Sequence, residues 1–236
     1  MKTNRTLIVA GKELSEIFKD KRSVGVSIFF SLFFSIMYSL RFLDVENLMN
    51  VSMIDTSVFF LTTAVGFFVV YMSTSQIFLR EKMDRVIETV MCTPLTLREI
   101  WLGKVLAVTT FSYSLSIFTA LVIVVVSSFF SGSLLLPVIE VFFHVFIVVP
   151  VFAAAIAGLM GFLQLYMGLR ENRILNFIIF VPVFGALYGV GYAVGSDTTV
   201  TWLFTGIVLL VSTFLLGIAT YLIRHLSKER IITTLS

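Results

Sequence analysis

The chain has 236 residues, of which 58% are apolar, only 13% are charged and 25 are phenylalanine, with a formal charge of +3 and a mean hydropathy of +1.02. An ordinary soluble domain is roughly 45–50% apolar and about 25% charged, so this composition excludes a soluble enzyme, a nucleic-acid-binding domain and a disordered tail. One cysteine and two histidines leave no disulfide framework and little for a metal cage.

The N-terminal stretch, residues 1–22, reads as a cytoplasmic amphipathic helix. Leu7, Ala10, Leu14 and Ile17 or Phe18 recur at helical spacing, with Lys12, Glu13, Glu16 and Lys19 on the other face. Lys21 and Arg22 follow, and no apolar stretch precedes residue 24. The pattern predicts a helix lying in the membrane interface rather than a cleavable signal peptide.

Six apolar segments follow within residues 24–223: 24–40, 58–79, 105–130, 138–167, 174–194 and 200–223. About 20 apolar residues cross a hydrocarbon core of roughly 30 Å. The fold class expected is therefore an all-α membrane protein with six transmembrane helices, forming one domain over residues 1–236. Among the charged residues only Glu140 falls inside a predicted span. Sixteen of the seventeen Lys and Arg lie in the N-terminal segment, the second-to-third and fourth-to-fifth loops and the C-terminal tail, with Arg41 alone opposite. Basic residues concentrate on the cytoplasmic side, so both termini are expected in the cytoplasm of a multi-pass protein of the plasma membrane.

Residues 80–104 form the one loop with internal pattern. Met83, Val86, Ile87, Val90 and Met91 make an apolar helical face, and Glu81, Asp84, Arg85 and Glu88 a charged one. Thr93-Pro94 ends that helix, because a residue before proline is pushed out of the α region. Thr96-Leu97-Arg98-Glu99 is a capping-box sequence that starts the next helix.

Softer signals lie in the spans. Thr109, Ser112, Ser116 and Thr119 form a polar stripe that either bonds neighbouring helices or lines a path, with packing the favoured reading. Glu140 and His144 are four residues apart, on one helical face; a polar cluster is favoured over a proton relay. Gly158 and Gly161, and Gly185, Gly189, Gly191 and Gly195, allow close helix approach. Cys92 reads as a small filler. No H-E-x-x-H, G-x-S-x-G or phosphate loop occurs, which leaves no catalytic residue, metal ligand or cofactor expected in this chain.

Glu81-Lys82, Val86-Ile87-Glu88, Thr93-Pro94-Leu95-Thr96, Arg98-Glu99 and Gly103-Lys104 resemble the signature between the second and third spans of type-2 ABC permeases. Ala10-Gly11-Lys12-Glu13-Leu14, followed by Lys19-Asp20-Lys21-Arg22, is similar to that family's opening helix. The resemblance implies a membrane-spanning subunit of an ATP-driven transporter, with exporter direction inherited from the family. It implies a second permease copy, alike or merely similar, and two copies of a cytoplasmic ATPase that hold ATP and magnesium. It also implies that Glu81, Lys82, Arg85, Glu88, Thr93, Pro94, Leu95, Thr96, Arg98 and Glu99 form the ATPase-coupling element. Arg85 stands where members usually have glycine, and residues 195–199 are too few for the re-entrant helices that many members carry. A charge-poor interior suits a lipid-like, peptide or hydrophobic substrate. The alternatives are an ion-coupled secondary transporter, which usually has ionisable residues at mid-membrane, a membrane enzyme, and an assembly factor with no ATPase partner.

Overall fold

A computed structural model describes residues 5–40, 51–84, 93–132, 134–168 and 200–226, with isolated positions between them; the side chains of 51–53 are excluded. Every described element is helical. Five stretches are long and apolar enough to cross a membrane: Lys21–Leu40, Ile54–Met83, Leu97–Ser131, Ile139–Tyr166 and Trp202–Arg224. The predicted span at 174–194 lies almost wholly outside the described residues.

Helix α1 (Arg5–Lys19) is separated from α2 (Lys21–Leu40) by Asp20 alone. Asp20 starts α2, its Oδ1 accepting the Ser23 N–H at 3.4 Å, as an N-cap does. Ile17 is buried, while Phe18 sets its ring edge-on to Phe111 at 5.5 Å. Glu13, expected on the solvated face, is buried, whereas Leu7 on the apolar face is exposed, as a residue facing lipid is. α1 crosses directly over the start of the third long helix at Gly103. A Cβ there would stand 2.6 Å from Val9 Cβ and 3.0 Å from the Thr6 carbonyl, so the crossing needs glycine.

Helix α3 (Val51–Thr74) runs on through a π-helical turn, Ser75–Arg80, into the short α4 (Glu81–Met83). The rod starts earlier than the hydropathy predicts and takes in Asp55. Its apolar residues Val58, Val65, Phe67, Val69 and Val70 are almost completely buried, which makes it the centre of the bundle. α5 (Leu97–Ser131) has 35 residues, about 52 Å at 1.5 Å per residue, so it overshoots the hydrocarbon core. The predicted capping box at Thr96 and Glu99 starts it, and Gly132, at φ 66°, ends it in the left-handed conformation that favours glycine.

The next span is α6 (Ile139–Phe143), a π-helical turn (His144–Val148) and α7 (Val149–Tyr166). The turn immediately precedes Pro150, which has no N–H to give to an α-helical ladder. A π turn is one way to carry a proline within a span. Finally α8 (Trp202–Arg224) rests on α7 through Ala219 and Ile223. Its Leu203, Leu210, Phe214 and Tyr221 face outward, as a lipid-facing surface does. Gly158 lies against Trp101 and Ala219, and Gly161 seats the Phe78 ring. Both glycines therefore serve close packing within the bundle.

Candidate functional site

The charged end of the bundle holds a buried ionic clamp. Lys104, on the third turn of α5, places Nζ 2.8 Å from Glu81 Oε1 and 3.1 Å from Glu13 Oε1. The side chains of Lys104, Glu13 and Glu81 are 3%, 4% and 12% exposed. The ammonium also lies 5.6 Å from the Phe78 ring centroid, within cation–π range. Lys12 adds a second cation from outside, 3.8 Å from Glu13 and 3.3 Å from Glu16. Three elements are thus tied by one ammonium: α1 by Glu13, α4 by Glu81 and α5 by Lys104. Burial, foremost, pushes the Glu13 carboxyl above its ordinary range; Lys104 opposes the rise and Glu81 adds to it. Glu13, Glu16 and Glu81 converge within 4.8 Å, but Lys104 and Lys12 supply the positive charge there, so the arrangement is an ion-pair network.

Lys82 is wholly buried. Its ammonium donates to the carbonyls of Gln164 and Leu165, each at 3.3 Å, and to that of Met167. Asn172 Nδ2 donates to two of the same carbonyls, of Gln164 at 2.9 Å and Met167 at 3.2 Å. A cation on the free carbonyls of a helix end is favourable, and Lys82 here closes α7. Adjacent Glu81 and Lys82 both point inward because each meets a different neighbour, Glu81 the α5 ammonium and Lys82 the end of α7.

The other predicted coupling residues lie differently. Pro94, Thr96 and Arg98 are exposed, and Thr93 and Leu95 are half-buried. The Pro94 carbonyl accepts from Arg5 at 3.4 Å, so the start of α1 also reaches this turn. Glu99 is committed to the cap: its Oε2 accepts the Thr96 N–H at 2.8 Å, while its own N–H donates to Thr96 Oγ1 at 3.2 Å. Arg85 and Glu88 lie outside the described residues.

Two residues of the polar stripe on α5, Ser116 and Thr119, bond neighbouring helices, while Ser112 bonds within α5. Ser116 donates to the Thr62 carbonyl at 3.1 Å, Thr119 shares a 2.7 Å bond with Ser31, and Ser112 donates to the Thr109 carbonyl at 3.2 Å. Their facing partner on α2 was missed in the sequence: Ser27, Ser31, Ser35 and Ser39 are all buried. Four serines spaced four apart in a phenylalanine-rich span were the available signal. His144 is buried over Phe59, ring centroids 3.9 Å apart, and its Nε2 meets Thr63 Oγ1 at 2.9 Å. It therefore pairs with α3 rather than forming the relay considered with Glu140. Asp55, read as a loop residue, accepts the Val138 N–H at 2.8 Å, capping the first turn of α6 from another helix.

No protein-family model matches this chain, and no curated protein and no solved structure matches it. The fold and the buried polar contacts define a multi-pass α-helical membrane protein whose architecture is consistent with a transporter.

Proposed function

We propose that this chain is the membrane-spanning permease subunit of an ATP-driven transporter of the ABC type-2 class. It works as an exporter in the plasma membrane, with both termini cytoplasmic. It pairs with a second permease and carries two copies of an ATPase subunit, which hold ATP and magnesium and perform the hydrolysis; the permease itself is not an enzyme.

The observation that carries this reading is the clamp. Glu81 precedes residues 84–96 and Lys104 follows them, and the two side chains join at 2.8 Å. The connector is thereby closed at its base, and Glu13 fastens α1 to the same point. A force on the exposed turn at Pro94, Thr96 and Arg98 then moves α1, α3 and α5 together instead of being absorbed in slack chain. Arg85 and Glu88 belong to the same docking face in this reading, whereas Glu81 and Lys82 hold it from within.

The test is extraction in mild detergent together with the ATPase encoded beside it. Co-purification and an ATP turnover that depends on the permease are expected. Failure to capture any ATPase, together with substrate movement driven by an ion gradient in vesicles of the chain alone, would overturn the reading.

A further inference from the structure

Where α2 leaves the break at Asp20, it and the end of the α3 rod enclose a groove of about 390 Å³. The two helices run in opposite directions, so its lining is layered. Arg22, Ser23 and Arg80 lie at the charged end. Val26 comes one turn further along α2, and Met72 two turns back along the rod from Arg80. Val26 is 41% exposed, so the apolar wall opens outward beside the charged end.

The two arginines at the mouth are engaged to different extents. Arg22 is exposed, and among the described residues no carboxylate lies within ion-pairing distance of it. Arg80 is 68% exposed, and its contacts with Asp20 and Asp84 are both 3.7 Å, too long for hydrogen bonds. Asp20, which also lines the groove, is engaged by Gln76 at 2.6 Å and by the Ser23 N–H. Guanidinium groups bind phosphate oxygens in pairs, and basic pockets between spans at the membrane surface receive anionic headgroups.

We propose that this groove is a binding site for one anionic phospholipid, its phosphate held by Arg22 and Arg80 and an acyl chain lying against Val26 and Met72. A free phosphate would satisfy the two arginines but leave the apolar wall wet. A neutral lipid would cover the wall but bring no net charge to the arginines. An anionic phospholipid matches both. The site does not depend on the permease reading, and its test needs no ATPase.

The full chain is purified, exchanged into nanodiscs of phosphatidylcholine mixed with phosphatidylglycerol, stripped mildly, and its retained lipid weighed by native mass spectrometry. Wild type should retain phosphatidylglycerol over phosphatidylcholine by a factor on the order of ten. The double variant Arg22→Gln with Arg80→Gln should lose the preference, and Arg22→Lys with Arg80→Lys should keep part of it. Val26→Trp leaves both arginines but fills the apolar wall, and should also lose retention. Equal retention of the two lipids by wild type, or an undiminished preference in the double glutamine variant, overturns the proposal. Displacement of the lipid by soluble glycerol phosphate overturns it too, since that marks a phosphate site with no role for the wall.

Discussion

Lys104 and Glu81 stand 2.8 Å apart across 23 residues of chain. Glu13, 91 positions before Lys104, completes the same contact at 3.1 Å. Charges so deeply buried stabilise little in net terms, because desolvation offsets their attraction; removing one partner is what costs. Lys104→Met should therefore destabilise the protein by about 3–5 kcal/mol, with Glu13 and Glu81 left facing each other. Lys104→Met combined with Glu13→Gln and Glu81→Gln should recover much of that loss. Thermal unfolding in detergent measures both; a triple variant no better than the single one would refute the clamp.

The pH response should have a defined sign. Burial raises the Glu13 carboxyl above its ordinary 4.5 in the folded chain, so folding favours the protonated form. Its contribution is complete below 4.5 and is lost as pH rises through the raised value. Compared with Glu13→Gln, wild type should lose stability progressively over that window. Paired melting curves across pH check this, and a wild type that gains stability relative to Glu13→Gln as pH rises would contradict it.

Two glycines should respond oppositely. At Gly103 a methyl meets Val9 and the Thr6 carbonyl, so Gly103→Ala should cost about 1–3 kcal/mol by overpacking and loosen α1 from α5. At Gly11, also within α1, a Cβ meets nothing within 4 Å. Gly11→Ala should be neutral or stabilise by about 0.5–1 kcal/mol through helix propensity. Thermal unfolding of the two variants in detergent checks both signs, and an unchanged melting temperature in Gly103→Ala would refute the close crossing.

Sidedness is open to labelling. With Cys92→Ala as background, a cysteine at exposed Leu134 should react with an impermeant maleimide from outside the cell. One at exposed Arg98 should react only after the membrane is opened. The reverse pattern would invert the topology inferred from basic residues.

The turn at Pro94, proposed above to dock an ATPase, should separate binding from coupling. Arg98→Glu reverses an exposed charge away from the clamp and should weaken ATPase capture without lowering the melting temperature. Pro94→Gly restores backbone freedom to the turn and should leave capture intact while ATP turnover ceases to respond to substrate. Wild-type behaviour of both variants in both assays would reduce residues 80–104 to an ordinary connector.

What could be read in the chain was local. The capping box at Thr96 and Glu99 needs only three residues of spacing, and four of the predicted spans needed only hydropathy. Glu13 was assigned to the solvated face because periodicity records polarity and not a partner 91 positions away. Lys82 enters the coupling element only through the resemblance, which carries positions and not the α7 carbonyls that bury its ammonium. Asp55 was left in a loop because its charge ended the hydropathy window, whereas its partner is the N–H of Val138 on another helix. The serines of α2 were hidden among phenylalanines, and the predicted span at 174–194 lies almost wholly outside the described residues.

Serine recurs on α2 at the pitch of the helix itself, from Ser27 to Ser39. A shift of α2 along α5 by four residues, about 6.0 Å with a turn of about 40°, brings Ser27 or Ser35 to the place where Ser31 now meets Thr119. A hydroxyl stands opposite Thr119 before and after such a step. Turning α2 by one residue instead brings Phe30 or Leu32 toward it, stranding a polar group in an apolar seam. The stripe thus keeps a hydroxyl available to Thr119 at four-residue steps of α2 and disfavours one-residue turns.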